Sequence, residues 1–581
     1  MNEKREASIE KMLKEQYLFD ETTSEIKKLQ FCCDRAILHL IKNDDIENSM
    51  HQVKVCADWF DFKHPEGSRD PKGECDFIAI RIIMALYEKE CFDRLSDEVK
   101  ASLERFFTKR DFSSIYGSEN HSLMYRVTRL LAAQFYKNAF FDCFGQSAKD
   151  IYDIDSKYIH DFLDFRAKRG WGEFDSLGYA FEIMLILSTL HKYTDDKKLK
   201  NKAHMSMDII MLDMIADCVN GMYAGAHGRS YPPEILDRSK ANMTILYNYY
   251  FDDNFTKNGY MHSLNILLSD YVPSDIVYMA AKKKPAVYEN RERKHLHCCS
   301  AWMGDINWDI LNKANGSISK YTYICGEYAL GGINRQDDYP QDLDDSFYAH
   351  HQQHEWELTF PDDGEMKIFT HHRAIPDYHH QVNRWTGDIF CCCGSFYTNS
   401  NTALCMYDIP PMNKKDVPTP NLPLINAYVP LHFFDTVKKD DKYLFLGYKK
   451  LYISLYFDNG YVINDEDNFA DKELLSLGSK NAFVLRVAYK ENYKNISDFA
   501  EQIKATPVLF DRKKMTVEFD GIMLRKEGNS ENGKENIYPY AKLYDCPFMK
   551  SDWDSGIIEV TIDNKKVIYD FTKNEICEKN N

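Results

Sequence analysis

The feature that most constrains this chain is a change in the period of its apolar residues. Up to about residue 290 they recur at three- and four-residue spacing, as in Ile26–Ile41, Phe77–Tyr87, Leu123–Tyr136, Ile159–Lys168, Tyr179–Tyr193 and Ala203–Cys218. That spacing gathers them on one stripe of a helix. From about Tyr321 the period moves towards two. Lys320–Cys325, His354–Phe360, Glu365–Thr370, Lys442–Leu446, Leu451–Phe457, Ala482–Ala488, Met515–Phe519 and Gly556–Ile562 then read as strands, parted by polar turns such as Pro361-Asp362-Asp363-Gly364. A helical half is therefore followed by an antiparallel β half. The basic stretch Ala286–His297 reads as the linker, which sets expected domains at 1–297 and 298–581. No repeat of fixed period marks a solenoid. Helical hairpins of unequal length suit a bundle or an incomplete α/α-toroid, and the β half suits layered sheets. Asn529–Asn536 reads as a polar surface loop.

Composition narrows the function. The net charge is −17 with no long basic run, which argues against nucleic acid as a partner. The start of the chain is charged, and no apolar run is long enough to span a bilayer, so neither a signal peptide nor a membrane partner is expected. Sixteen cysteines, several adjacent in sequence and none in a CxxC pair, suit reduced thiols. Together these features predict a cytoplasmic protein. Aromatic residues make up 14% of the chain, with 38 tyrosines, which is compatible with sugar-stacking surfaces.

Four segments could carry chemistry. Ser118-Glu119-Asn120-His121 follows Tyr116-Gly117 and opens a helical pattern. With Ser118 as N-cap, Asn120 and His121 sit in a first turn that favours an anion and offers an amide beside an imidazole. Gly170-Trp171-Gly172-Glu173-Phe174-Asp175-Ser176-Leu177-Gly178-Tyr179 runs into the next helix, and Glu173, Ser176 and Tyr179 share a face if helical. Gly225-Ala226-His227-Gly228-Arg229-Ser230-Tyr231 is a loop presenting an imidazole, a guanidinium and a phenol, and the guanidinium is shaped to hold a carboxylate. Seven of the 19 histidines lie between His350 and His380. Alternation buries His354 with Trp356 and Leu358. His354 and His372 on paired strands could hold a structural zinc, with Asp388 or Cys391–Cys393 as a third ligand.

Taken together, Asn120-His121, Tyr179 and the histidine-rich β segment resemble the polysaccharide lyases of the heparinase II/III and oligoalginate lyase type, in which an α/α-toroid is joined to an antiparallel β-sandwich. Glu119-Asn120-His121, His227-Gly228-Arg229-Ser230-Tyr231 and Trp385-Thr386-Gly387 also resemble a subgroup of toroid-plus-sandwich proteins whose reactions are mostly unassigned. The resemblance implies an Asn-His pair at a toroid helix start and a catalytic tyrosine one or two hairpins later. It also implies histidines around a His-x-His strand, with a structural zinc nearby in several members. The chain departs from that pattern at Gln352-Gln353-His354, where only the second histidine is matched, leaving His351 or His371 as substitutes.

The implied reaction is β-elimination at a uronic acid, which needs no cofactor. Asn120 would hydrogen-bond the sugar carboxylate as charge develops, and His121 or Tyr179 would serve as base or acid. Arg229 or the helix start would help lower the Tyr179 pKa if it is the base, and Glu119, Trp171, Glu173, His227, Arg229, Tyr231, His351 and His371 would contact substrate. The expected partner is an acidic oligosaccharide or polysaccharide, with short imported oligosaccharides favoured over intact polymer; a homo-oligomer is left open. Two other readings compete. One is a glycoside hydrolase using Glu173 with Glu119 or Asp175. The other is a glycan-binding protein without catalysis.

Overall fold

The structure, a computed structural model, describes residues 2–15, 26–59, 75–113, 118–251, 260–295, 317–336, 353–372, 385, 393–411, 421–526, 528–531, 534–535 and 542–580. Among the helices of the described first half, those that organise it are α1 (Ile26–Lys42), α2 (Ile46–Asp58), α3 (Cys75–Ile82), α4 (Asp97–Lys109), α5 (Glu119–Phe135), α6 (Ala148–Arg169), α7 (Tyr179–Tyr193), α8 (Lys197–Ala216), α9 (Leu264–Leu268) and α10 (Asp275–Lys283). The pairs α1–α2, α5–α6 and α7–α8 pack as hairpins. Among the described residues α1, α3, α5, α7 and α9 form an inner circle, each packing on the next, and α9 returns to α1. The remaining helices back this ring, so the α/α arrangement expected from the periodicity is present. A ring helix is covered on more than one side, which explains why α7 buries almost everything from Ile183 to His191.

Local signals set the helix ends. A capping box between Ser147 and Asp150 starts α6 eleven residues before the predicted Ile159. Gly170, at φ 73°, ends it in a conformation that a side chain would strain. Asp196 caps α8 by accepting from the N–H groups of Lys198 and Leu199.

The β half is built on an antiparallel sheet of thirteen described strands. Its centre runs β1 (Tyr288–His295), β2 (Ser317–Ile324), β3 (Ala329–Gln336), β4 (Trp356–Thr359) and β5 (Lys367–His372), each paired with the next. A six-stranded sheet packs over one part of it, burying Leu330, Trp356, Leu358 and Ile368 against Cys405, Ile453, Phe483 and Leu485. The C-terminal strands instead pack on the helices, so Leu543, Val560 and Tyr569 share one core with the toroid. Among the described residues no helix is long and apolar enough to cross a membrane.

Two expectations fail here. The segment Ala286–His297 is not a linker, because Tyr288–His295 forms strand β1. Its inward face carries Asn290, Glu292 and Lys294 instead of apolar residues, which hid the alternation. The polar stretch at Asn529–Asn536 is not simply a loop, since Gly528–Glu531 and Lys534–Glu535 are paired strands.

Candidate active site

Five predicted residues meet at one cavity. Glu119, Trp171, Glu173, Asp175 and Tyr179 line it together with Ile183 and Met214. They arrive there from the start of α5 and from the turn between α6 and α7. Glu173 and Ser176 precede the helix rather than sharing its face with Tyr179, because α7 begins at Tyr179. Ser176 sets that start: its Oγ accepts the Tyr179 N–H at 3.2 Å and donates to the Arg229 carbonyl at 3.0 Å.

At the head of α5, Ser118 occupies the N-cap position but its side chain does not cap the backbone. Its hydroxyl donates instead to Asn120 Oδ1. This turns the amide so that Nδ2, on a fully buried side chain, has no partner among the described residues. His121 Nδ1 donates to Asp76 Oδ2 at 2.6 Å, and its ring meets the Phe77 edge. Because a carboxylate only accepts, this contact puts the proton on Nδ1 and makes Nε2 the basic nitrogen. Glu119 pairs with Arg166 and accepts the Glu173 N–H at 2.8 Å. Burial pushes its carboxyl up to about 7 against the pull of Arg166.

Arg229 reaches the same place from the loop after α8, at φ 41°. It pairs with Glu173 and lies over the Tyr179 ring at 4.2 Å. The hydroxyls of Tyr179 and Tyr231 are 2.8 Å apart. Burial raises the Tyr179 phenol well above its ordinary range, and the opposing pull of Arg229 does not overcome it. Arg229 thus pulls in the expected direction, but burial outweighs it and the phenol is not lowered below its ordinary value.

His227 and the β-half histidines form a separate buried group. His227 and His354 exchange backbone hydrogen bonds at 3.0 and 2.8 Å, and their rings stack at 4.9 Å. Ser230 Oγ lies 2.5 Å from His227 Nδ1, and His227 Nε2 has no partner among the described residues. His354 is bonded on both nitrogens, to Glu357 at 2.9 Å and to His371 at 3.1 Å. His371 Nδ1 also lies 3.0 Å from Glu355, and His372 Nε2 lies 3.3 Å from the Leu422 carbonyl. With both its nitrogens engaged, His354 does not fit a zinc pair with His372. His351, Asp388, Cys391 and Cys392 lie outside the described residues.

Sequence reasoning missed a charged lock behind the cavity. Lys320 Nζ donates to Asp217 and Glu292 at 2.9 Å and to Tyr223 at 2.7 Å, and it also pairs with Asp175. Lys294 pairs with Asp213 and, at 3.4 Å, with Asp175. Asp175, Asp213 and Glu292 bring donor oxygens within 4.8 Å of one another, the spacing of a cation site, but the two ammonium groups already serve them. Burial and neighbouring Asp175 push the Asp213 carboxyl well above the usual range, against the pull of Lys294. Asp175, at φ 51°, belongs to the turn that carries Glu173 and Tyr179, so the lock ties that turn to β1 and β2.

No family model and no curated protein matches this chain. Among solved structures it is similar to a xanthan lyase of Paenibacillus (10% identity, TM-score 0.41, covering 98% of this chain and 64% of that one). It is also similar to a heparan sulfate lyase from Pedobacter heparinus (11% identity, TM-score 0.37, 91% and 88%). A third is the chondroitin AC lyase of Streptomyces coelicolor A3 (9% identity, TM-score 0.38, 97% and 88%). The chain thus spans less than two thirds of the xanthan lyase.

Proposed function

We propose that this chain is a polysaccharide lyase that cleaves uronic-acid-containing glycans by β-elimination. The observation that carries the reading is the buried Asn120 amide, whose Nδ2 meets no acceptor among the described residues and stands next to a histidine oriented by Asp76. A buried donor without a partner is costly unless a ligand completes it. A uronate carboxylate would do so, and the hydrogen bond would strengthen as charge builds on that group.

In this scheme His121 Nε2 takes the C5 proton while Asp76 steadies the imidazolium. The electron pair of the C5–H bond forms the C4–C5 double bond, the C4–O4 bond breaks, and Tyr179 donates its phenolic proton to O4. Proton return from His121, directly or through water, restores both groups. Arg229, by its charge over the Tyr179 ring, favours the transient phenolate. Trp171 offers a stacking wall in the same cavity. Short oligosaccharides suit a chain of net charge −17 better than long polyanions. We place their processing in the cytoplasm.

One observation favours a hydrolase instead: Glu119, near neutrality in its titration, stands close to Glu173 at the cavity. Both carboxylates are held by guanidinium groups, Arg166 and Arg229, which restrains them from acting as an acid–base pair. Product analysis separates the two. Elimination gives a conjugated double bond that absorbs in the ultraviolet and is lost in Tyr179→Phe. Hydrolysis adds water, gives no such absorbance, and would follow Glu173→Gln.

A further inference from the structure

The cavity at the start of α7 is walled largely by hydrocarbon. Leu177 comes from the turn before α7, Ile183 from α7, Ile210 and Met214 from α8, and Met243 from the helix Asn242–Phe251. Each of these is at most 5% exposed. Ile210 and Met214 stand four residues apart on α8 and so present one face. The polar side chains that also line the cavity are mostly spent on the protein itself. Glu119 is held by Arg166 and the Glu173 N–H, and Glu173 by Arg229. Asp175 serves both lysines of the lock, the Tyr223 hydroxyl donates to the Ala226 carbonyl at 3.0 Å, and the Tyr179 hydroxyl lies against that of Tyr231. Asp213 Oδ2 takes Lys294 and Tyr544, while its Oδ1 has no partner among the described residues. The free space is about 30 Å³, room for one or two water-sized groups and too little for a sugar ring. What enters is therefore a substituent of a sugar.

We propose that this cavity receives a methyl-ended substituent, an acetyl group or the methyl of a deoxy sugar, carried by the sugar next to the uronate. Ile183, Ile210, Met214 and Met243 determine that choice. The inference rests on the lyase reading and deepens it by naming the decoration of the substrate. A methyl group gains by leaving water for these walls. A hydroxyl in the same place gives up its water bonds for few partners, and a sulfate stands among the carboxylates of Glu119, Glu173, Asp175 and Asp213.

The test uses matched uronic-acid oligosaccharides whose neighbouring sugar carries a free hydroxyl, a sulfate, an acetyl ester, an acetamide or a deoxy methyl. With wild-type protein at least one methyl-ended member should be eliminated with a kcat/KM about tenfold above that of the hydroxyl parent. The sulfated member should fall below the parent, and the member that leads identifies the substituent. Ile210→Phe fills the cavity and should bring the leading ratio close to one. Met214→Ala enlarges it and should shift the preference to a substituent one carbon longer. If Ile210→Phe does not fold, as judged by its melting curve, Met214→Ala carries the test. Three results overturn the inference and leave the lyase reading standing: fastest turnover of the sulfated member, no advantage for any methyl-ended member, or a preference unchanged in the folded variants. If no member gives the double bond, the lyase reading fails. Calorimetric binding of the same set then decides the cavity: tighter binding of a methyl-ended member, lost in Ile210→Phe, supports it, and equal or absent binding overturns it.

Discussion

Two buried polar clusters flank the cavity, and they differ in one respect. At the junction with the sheet, the two buried ammonium groups of Lys294 and Lys320 meet Asp175, Asp213, Asp217 and Glu292, with Asn290, Tyr223 and Tyr544 also bonded into the network and Asp213 Oδ1 alone left without a hydrogen-bond partner among its described residues. At the head of α5, Ser118 bonds Asn120 and Asp76 bonds His121, and Asn120 Nδ2 has no partner among the described residues. Carboxylates gathered on two buried cations hold structure, whereas polar groups that keep open atoms can take a ligand. The junction therefore fixes the turn bearing Glu173 and Tyr179, and the head of α5 is where the proposed scheme puts the substrate.

Breaking the junction should have the largest effect on folding. Lys320→Met leaves several buried acceptors without their cation and is expected to cost ~3–5 kcal/mol, read from a urea transition. Asn120→Ala sharpens the contrast from the other side: within the described protein it removes only the acceptor of the Ser118 hydroxyl, about 1 kcal/mol in a melt, while elimination should fall by ~10²–10³.

Acid should act on the histidine stack between loop and sheet. Burial lowers His354 to about 3 and His372 to about 4, and puts His227 well below its ordinary value. The unfolded chain then binds more protons than the native one below the ordinary histidine pKa. Stability is thus complete above that value and is lost as pH falls towards the native pKa of each group, by up to about 1.4 kcal/mol per pH unit for each. Denaturant midpoints measured down this range should fall steadily. The smallest effect is expected from Tyr231→Phe, which removes one hydrogen bond to Tyr179, worth about 1 kcal/mol in a melt.

Much of the fold was legible because burial and hydrophobicity agree along most elements. The helix Tyr179–Tyr193 and the strand Leu451–Phe457 match their predicted limits. Strand β1 was not legible, because its buried face is ionic and its alternation is one of burial and not of polarity. Within the site, Asn120, His121 and Tyr179 stood out by position at helix starts. Asp76 was invisible as the partner of His121, since 45 residues part them and only the ring brings them together. The zinc expectation read two histidines on paired strands as ligands, whereas the structure turns His354 towards His371 and Glu357.

The central claim is that the open donor on Asn120 awaits a uronate carboxylate. The most direct measurement is the ultraviolet absorbance of the unsaturated product from an unsulfated uronic-acid oligosaccharide, followed with wild-type protein and with Asn120→Ala shown by its melting curve to be folded. The account predicts a steady rise with the wild type and almost none with the variant. Equal rises in both, or new reducing ends without any absorbance, would contradict it.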